Sequence, residues 1–266
     1  PGMIALEQSY EISGGYHWPS SGREFYQLGV VDSKTSSVAA GAIYTSFNED
    51  RDKYSVEDQE TDLFDSPLNK RMNLTLGKTF NKISMGVGIQ MLEASTVEGG
   101  EPKALKGNTF SLGAAGLVTR QLRWGVSAEN LANKKVKEYA PTTYRSGIAY
   151  LLDGGKVSMH MDFMRREKIS LGLGSEFDPW TLTANSKKTD NPELGYEHIA
   201  VASFSARVYD FFRVLGAYGQ DTESSRTIAS AGVALVNKSY TFSYAAQKPD
   251  ITESSTHHAM TINFDI

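Results

Sequence analysis

Charged side chains that alternate with apolar residues are the groups of this sequence that could do chemistry. In an extended strand, residues two apart share a face, so these charges gather on the face opposite the apolar side chains. Inside an enclosed space, such a mixture of acids and bases would either pair and narrow the bore or line a polar passage. The predicted lumen-lining residues are Arg123, Glu129, Arg145, Lys156, His160, Asp162, Glu176, Arg207 and Arg213.

No catalytic or cofactor motif accompanies these charges. The sequence has no Gly-x-Ser-x-Gly elbow, no HExxH pair, no phosphate loop and no dinucleotide fingerprint. It contains no cysteine, which excludes disulfides, thiolate catalysis and cysteine-rich metal sites. His257 and His258 are adjacent, and neighbouring strand residues point to opposite faces. We therefore predict a protein that is not an enzyme and holds neither a metal nor a cofactor.

The elements that position the charges are strands, because apolar residues recur at every second position along most of the chain. The clearest segment has Ile83, Met85, Val87, Ile89 and Met91 alternating with Ser84, Gly86, Gly88 and Gln90. The same alternation predicts strands around residues 72–77, 122–129, 157–163, 169–174, 229–235, 240–244 and 260–266.

The two faces of these strands favour a membrane barrel over a soluble sheet. Their polar face is rich in Gly, Ser and Thr, whereas a water-facing sheet is usually rich in Lys and Glu. Aromatic residues gather near strand ends, as in interfacial girdles. No window holds the ~18–20 apolar residues that a spanning helix needs, but a barrel strand needs only ~9–11. The soluble alternatives are a sandwich, a lipocalin-like barrel and a propeller.

The connections also alternate in length, which is typical of outer-membrane barrels. Short links include residues 33–37, 81–82 and the hairpin turn Asp153–Gly155. The longer links cover about residues 48–69, 95–106, 133–141, 186–196, 220–226 and 248–256.

We therefore predict one all-β domain over residues 1–266, a transmembrane up-and-down antiparallel β-barrel. It has about 16 strands, with 14 as the alternative. The count of sixteen includes a first strand around residues 6–14 and a hairpin over residues 169–187. An even number of strands places both termini on the periplasmic side.

Two hairpins resemble those of a known group. Residues 110–118 (FSLGAAGLV) followed by residues 122–131 (LRWGVSAENL) resemble a hairpin of the long-chain fatty-acid-transporter-like outer-membrane proteins. That broad superfamily includes barrels associated with type IX secretion. Residues 30–44 (VVDSKTSSVAAGAIY) resemble the second hairpin of unassigned delta-proteobacterial members.

The resemblance implies an outer-membrane barrel but carries over no substrate and no ligand residue. The fatty-acid transporters have an N-terminal hatch, and about 20 residues precede the second predicted strand here, which leaves no room for one. Those barrels usually have fourteen strands, whereas the strand count here favours sixteen.

The predicted location is the bacterial outer membrane, with the signal peptide absent from this sequence. The predicted partners are outer-membrane lipid and lipopolysaccharide, the barrel assembly machinery and a small-molecule solute. A net charge of −4 and a pI near 5.8 exclude nucleic acid as a partner, because no basic face is available for phosphates.

Two functions fit this barrel. The first is a passive or lightly gated conduit for small or hydrophobic solutes. The second is a structural or interaction barrel without transport, whose lumen is closed and whose extracellular loops bind a partner. The acidic segment 48–65 is the predicted constriction; the alternatives for it are a solvated surface loop and a divalent-cation bridge to lipopolysaccharide.

Overall fold

The computed structural model of the protein describes residues 9–19, 24–47, 68–98, 101–132, 140–167, 176–177, 184–185, 196–221, 227–248 and 256–265. Nearly all of these residues are extended, because the alternation of side chains that marks the sequence matches the pleat of a strand. Within the same residues, no helix is both long enough and apolar enough to cross a membrane.

Fourteen of the strands in this described part of the chain close into one antiparallel barrel. The strands are β1 (Tyr10–Pro19), β2 (Phe25–Asp32), β3 (Ala39–Phe47), β4 (Leu68–Phe80), β5 (Ile83–Glu98), β6 (Glu101–Leu117), β7 (Leu122–Leu131), β8 (Thr143–Leu152), β9 (Val157–Glu167), β10 (Glu176–Phe177), β11 (Ala184–Asn185), β12 (Tyr196–Tyr209), β13 (Phe212–Asp221), β14 (Thr227–Val236), β15 (Tyr240–Lys248) and β16 (His257–Asp265). The short strands β10 and β11 pair only with each other.

The barrel is of the up-and-down kind that the sequence predicts. Each barrel strand pairs with the strand before and after it, and β9 pairs with β12 because β10 and β11 are not in the wall. The barrel closes where β1 pairs with β16, with Tyr16 opposite Met260. Closure leaves no strand edge unpaired, which the interior of a membrane requires.

The two ends of the barrel differ, and we call them the turn end and the loop end. The turn end carries the connections 33–38, 81–82, 118–121, 153–156, 210–211 and 237–239, together with the start of β1 and the end of β16. The loop end carries the connections 20–24, 48–67, 99–100, 132–142, 168–195, 222–226 and 249–256.

Turn residues at the turn end have the conformations that their types favour. Asp153, Gly154 and Gly155 have φ values of 47°, 65° and 91°, so the predicted Asp-Gly-Gly turn is confirmed. In the turn between β2 and β3, an Asp32 carboxylate oxygen accepts hydrogen bonds from the backbone N–H groups of Lys34 at 3.1 Å and Thr35 at 3.0 Å. Such aspartate turns fix the strand register beside them.

The structure corrects the strand count and two strand boundaries. The barrel takes the alternative of fourteen strands. The predicted hairpin over residues 169–187 contributes only β10 and β11, which are outside the barrel wall; its other residues lie outside the described part of the chain. The first strand, Tyr10–Pro19, continues beyond the predicted end at residue 14, and residues 6–8 of the prediction lie outside the described residues. Alternation identifies a strand but does not decide which sheet the strand joins.

The predicted loop over residues 95–106 is also wrong. Strand β5 continues to Glu98 and β6 begins at Glu101, with an unbroken ladder from Glu93 opposite Lys106 to the turn. The polar sequence there suggested a loop, but a backbone ladder does not depend on apolar side chains once the strands leave the lipid.

The outer face of the barrel is apolar and exposed. On β4 and β5, Leu76 is 53% exposed, Met85 57% and Val87 52%, and similar side chains continue around the wall. Soluble monomers rarely expose contiguous apolar surface beyond a few hundred Å². Lipid is the environment in which such a belt is stable, as the alternation of the sequence predicts.

Aromatic side chains border this belt at both ends. Tyr150, Tyr209 and Tyr240 lie near the turn end and are exposed on the outer face. At the loop end, Tyr144 and Tyr196 are placed in the same way. Tyrosines with an apolar ring and a polar hydroxyl prefer the boundary between lipid and water, so the two bands indicate where the barrel leaves the membrane.

Gly232 on β14 tests how tightly the barrel wall is packed. A Cβ at this position would lie 2.7 Å from the backbone oxygen of Tyr244 on β15, and backbone cannot move aside cheaply. We predict that Gly232→Ala lowers the free energy of unfolding by about 1–3 kcal/mol through overpacking. Urea titration in detergent, followed by tryptophan fluorescence, measures the change.

Gly14→Ala on β1 is the matched control. A Cβ there would meet Ile262 at 3.6 Å, which is an ordinary van der Waals contact. Equal unfolding midpoints for the two variants would contradict the packing derived for Gly232.

Candidate functional site

The candidate site is the inner face of the barrel, where seven of the nine predicted lumen residues occur. They hold positions that alternate with exposed apolar residues on the same strands, such as Val126 on β7, Ile148 on β8 and Phe204 on β12. These seven are Arg123 and Glu129 on β7, Arg145 on β8, His160 and Asp162 on β9, Arg207 on β12 and Arg213 on β13. Their role in bounding a passage stays a prediction.

The other two residues are not part of the barrel wall. Lys156 is exposed in the turn between β8 and β9, where its Nζ lies 3.1 Å from Asp153 Oδ2. Glu176 belongs to β10, which pairs only with β11. In both cases the sequence prediction extended a strand alternation beyond the end of a barrel strand.

A group of charges meets at the inner face of β7 and β8. Arg145 Nε lies 3.4 Å from Glu129 Oε2, and Ser127 Oγ donates a hydrogen bond to Glu129 Oε1 at 3.1 Å. Arg71 on β4 is close enough to interact electrostatically with both Glu129 and Arg145. Because β4 lies three strands from β7 around the wall, this interaction spans part of the lumen.

Arg71 is a site residue that the sequence analysis missed. It lies between the predicted link 48–69 and the predicted strand 72–77, and on β4 it shares the inner face with Asn73 and Thr75. Extending that alternation toward the N-terminal end of β4 would have identified it. Its Nε is buried without a hydrogen-bond partner in the described part of the chain.

The middle of the lumen is polar and accessible to water. Asp162 on β9 is exposed although it faces inward. Its carboxylate lies over Gly147 on β8, where any Cβ would overlap with it. His160 Nε2 and Ser158 Oγ are 3.1 Å apart on the same strand. A glycine opposite a charged residue thus leaves the side chain room inside a crowded wall.

The loop end of the lumen is instead filled by an apolar layer. Phe47, Leu92, Ala94 and Ala140 form one buried cluster, against which Phe25 and Leu105 pack. We call these six residues the apolar layer. The four central members, Phe47, Leu92, Ala94 and Ala140, are only 1% to 7% exposed. Apolar side chains inside a membrane barrel serve no lipid contact; we call the part of the lumen in which they are buried the closed section.

Ala140 shows how a connection helps to close this section. It belongs to the link between β7 and β8, whereas Phe47 lies on β3, five strands away around the wall. Asn130 Nδ2 anchors the link by donating to the Pro141 carbonyl at 2.9 Å. Because Ala140 belongs to the same buried cluster as Phe47, it packs on the inner side of the barrel at the loop end.

An aromatic row continues the apolar layer around the inner wall. The rings of His17 and Phe25 stack with centroids 4.5 Å apart, and the Phe25 and Phe47 centroids are 5.4 Å apart. His257 meets His17 edge to face at 5.5 Å and is only 2% exposed. The row therefore joins β16, β1, β2 and β3 at one level.

His257 and His258 lie on opposite faces, as strand alternation predicts. While His257 is inside, His258 lies on the outer face, where Tyr244 Oη and His258 Nδ1 are 2.8 Å apart. Its ring also stacks on Trp18 with centroids 5.8 Å apart. The adjacent histidines therefore do not converge on one ion.

A buried ion pair supports the layer on the opposite side. Arg166 Nη2 on β9 lies 2.5 Å from Glu197 Oε2 on β12, and both side chains are nearly inaccessible to water. Ile199, two residues further along β12, is 1% exposed. The loop end is thus occupied by apolar contacts on one side and by a desolvated charge pair on the other.

The change from filled to open is abrupt along β8. Thr143 is 4% exposed, whereas the side chain of Arg145, the next inward residue, is 58% exposed. Two residues of a strand span about 7 Å. On this side, the closed section therefore ends within one inward-facing residue, and the lumen widens directly beneath it.

The predicted acidic constriction at residues 48–65 lies outside the described residues. Within the described part of the chain, the closed section is formed by the apolar layer, to which Ala140 belongs. This layer has no local sequence signal, because its six residues come from five separate segments that only the closed barrel brings together.

Comparison with known proteins concerns the fold. Neither a protein-family model nor a curated protein sequence matches the chain. The solved toluene transporter TbuX of Ralstonia pickettii aligns with a TM-score of 0.62 at 12% identity, over 100% of this chain and 92% of that chain. The fold is that of outer-membrane β-barrels.

Two further solved barrels extend this likeness. The toluene transporter TodX of P. putida aligns with a TM-score of 0.59 at 10% identity, over 99% of this chain and 90% of that chain. The outer membrane protein Omp33 of Acinetobacter baumannii has a TM-score of 0.50 at 8% identity, over 98% of this chain and 100% of that chain.

The buried ion pair gives a prediction about the stability of the closed section. We expect Glu197→Gln to lower the free energy of unfolding by about 3 kcal/mol, because the Arg166 charge is left buried without its carboxylate. Urea titration in detergent measures this loss.

The double variant Arg166→Met, Glu197→Met is the control for charge burial. It removes both charges and keeps apolar volume, so it should recover most of the lost stability. A double variant as unstable as the single one would contradict this account.

Proposed function

We propose that the protein is an outer-membrane conduit for small, largely apolar solutes, lightly gated at its loop end. The observation that carries this proposal is the apolar layer, which lies inside the lumen and directly above a water-accessible section. The turn end then faces the periplasm, as the short connections of outer-membrane barrels do. Lipid and lipopolysaccharide surround the barrel, and the barrel assembly machinery inserts it.

The chemistry of the apolar layer favours an apolar cargo over a hydrophilic one. Burying apolar surface stabilises a solute by about 25 cal/mol per Å², so an aromatic or aliphatic solute gains by entering this layer. A sugar or ion would lose its hydration there and find no hydrogen-bond partner on Phe25, Phe47 or Leu92. TbuX and TodX are toluene transporters, and toluene belongs to this class of solute.

The contacts of Ala140 suggest how the conduit opens. Ala140 is small, and its link is held at one end through Asn130 and Pro141. Displacing it uncovers Phe47 and Leu92 without breaking the ladder of any barrel strand. The gate is therefore a displacement of Ala140 from a fixed wall, which a bound apolar solute favours by replacing the lost contacts.

The second candidate function, a closed barrel that binds a partner through its loops, rests on the β5–β6 hairpin. The ladder between these strands continues from Glu93 to Glu98, beyond the pairing of β4 with β5, which ends at Ala94. The hairpin thus projects past its neighbours. A barrel of this kind would show no solute flux, and deleting residues 95–104 would abolish capture of its partner.

Solute uptake tests the conduit directly. We expect liposomes with lipopolysaccharide in the outer leaflet to take up a monoaromatic hydrocarbon several-fold faster when they contain the protein, because that leaflet slows spontaneous passage. An entrapped fluorescent reporter of the solute measures the rate. Uptake equal to that of protein-free liposomes would contradict the proposal and favour the interaction barrel.

Truncating the apolar layer tests the position of the gate. We predict that Phe47→Ala raises single-channel conductance in planar bilayers, because it removes a buried ring from the closed section. The same change should lower stability by about 3–5 kcal/mol, as other core Phe→Ala substitutions do.

Phe242→Ala is the matched control for Phe47→Ala, since Phe242 is exposed on the lipid face. Its conductance should equal that of the wild type. Heat-modifiable gel mobility confirms that each variant is folded. A folded Phe47→Ala barrel with unchanged conductance would place the gate elsewhere.

A further inference from the structure

Two arginines face each other directly near the turn end of the lumen. Arg207 on β12 is the register partner of Arg213 on β13, and both are on the inner face. Like charges directly opposite each other on a sheet are destabilising. A barrel that holds such a pair therefore has a strong electrostatic preference for an anion between or beside the two guanidinium groups.

The neighbouring inward positions on the barrel strands supply no carboxylate. The nearest inward positions on the four strands around it are Ser205, Leu215, Ser158 and Ala234. In the described part of the chain, the Nε atoms of Arg207 and Arg213 are buried and have no acceptor for their hydrogen bonds. Elsewhere in the lumen, Arg145 has Glu129 and Arg166 has Glu197, so the facing pair differs from these two inner arginines.

A recess at the turn end gives Arg207 access to solutes. It has a volume of about 560 Å³ and lies between the turns 210–211 and 237–239. Its charged lining consists of Arg207, Lys238 and Asp210. Two cations and one carboxylate leave the recess with a net positive charge.

Carboxylates at this level lie in another sector of the wall. Glu11 on β1 faces Asp265 on β16, near the same end of the barrel. Strands β14 and β15 separate them from Arg213, and their inward residues there, such as Ala234, Val236 and Thr241, carry no charge. The turn-end mouth thus has a basic sector and an acidic sector held apart by uncharged strands.

We propose that Arg207 and Arg213 form a binding site for oxyanions, carboxylate or phosphate, at the turn-end mouth of the lumen. Guanidinium groups bind such anions through paired N–H donors, and two groups from adjacent strands can hold one anion between them. In the conduit of the proposed function, this site favours anionic over cationic solutes. That consequence rests on the proposed function, whereas the anion site itself does not.

Calorimetric titration of inorganic phosphate into the detergent-solubilised protein tests the site without any need for transport. We expect phosphate to bind the wild type. The double variant Arg207→Gln, Arg213→Gln should lose most of this affinity. The double variant Arg207→Lys, Arg213→Lys should keep weaker binding, because the charge remains but the paired donors are lost. Absent binding in the wild type, or equal binding in the glutamine variant, overturns the site.

Arg165→Gln is the matched control for the loss of one arginine charge at the lumen. The Arg165 guanidinium lies 3.8 Å from the centre of the Tyr196 ring on the outer face, away from the lumen. Its phosphate binding should equal that of the wild type. An equal loss in this control would show that general surface charge, and not the facing pair, binds phosphate, which would overturn the site.

Reversal potentials in a KCl gradient across planar bilayers test the consequence for selectivity. We expect the ratio of chloride to potassium permeability to fall several-fold in Arg207→Gln, Arg213→Gln, with conductance retained. A protein that binds phosphate but neither conducts nor transports would leave the site standing and contradict the conduit. A conducting barrel with unchanged selectivity and no phosphate binding would overturn the anion site and leave the conduit standing.

Discussion

Closure of the backbone ladder is the constraint on which the rest of this structure depends. Lipid offers no hydrogen-bond partners, so each N–H and C=O in the membrane must be paired within the barrel. The pairing of β1 with β16 completes that ladder. Once the ring is closed, side-chain parity alone decides which residues meet lipid and which meet the lumen. The apolar belt, the inner charges and the apolar layer all follow from it.

The lumen has a buried section and a water-exposed section. Successive inward residues of a single strand can lie in the one and then in the other. On β8, Thr143 is buried beneath the apolar layer, while Arg145 reaches into water one inward position further on. Arg145 lies where water enters, whereas Arg166, which water hardly reaches, is paired with Glu197. Desolvating a charge costs free energy, so the exposed Arg145 lies in the open section, and Arg166 in the closed section has a carboxylate partner.

Much of the fold could be predicted because strand periodicity is local. The alternation from Ile83 to Met91 defines both faces of β5, and seven of the nine predicted inner residues hold inward positions. Errors arose where polarity was taken as a sign of a loop. The ends of β5 and β6 were cut short for this reason. Polar residues mark where a strand leaves the lipid, which is not where its hydrogen bonding ends.

By itself, the sequence determined the strands, their lipid-facing side and the alternation of short and long connections, because each depends on neighbours within a few residues. Only the tertiary structure decided that fourteen strands close the ring, that Ala140 packs in one cluster with Phe47, and that Arg207 faces Arg213. These features join segments far apart in the chain. Their geometry depends on register and on ring closure, which no local pattern of residue types encodes.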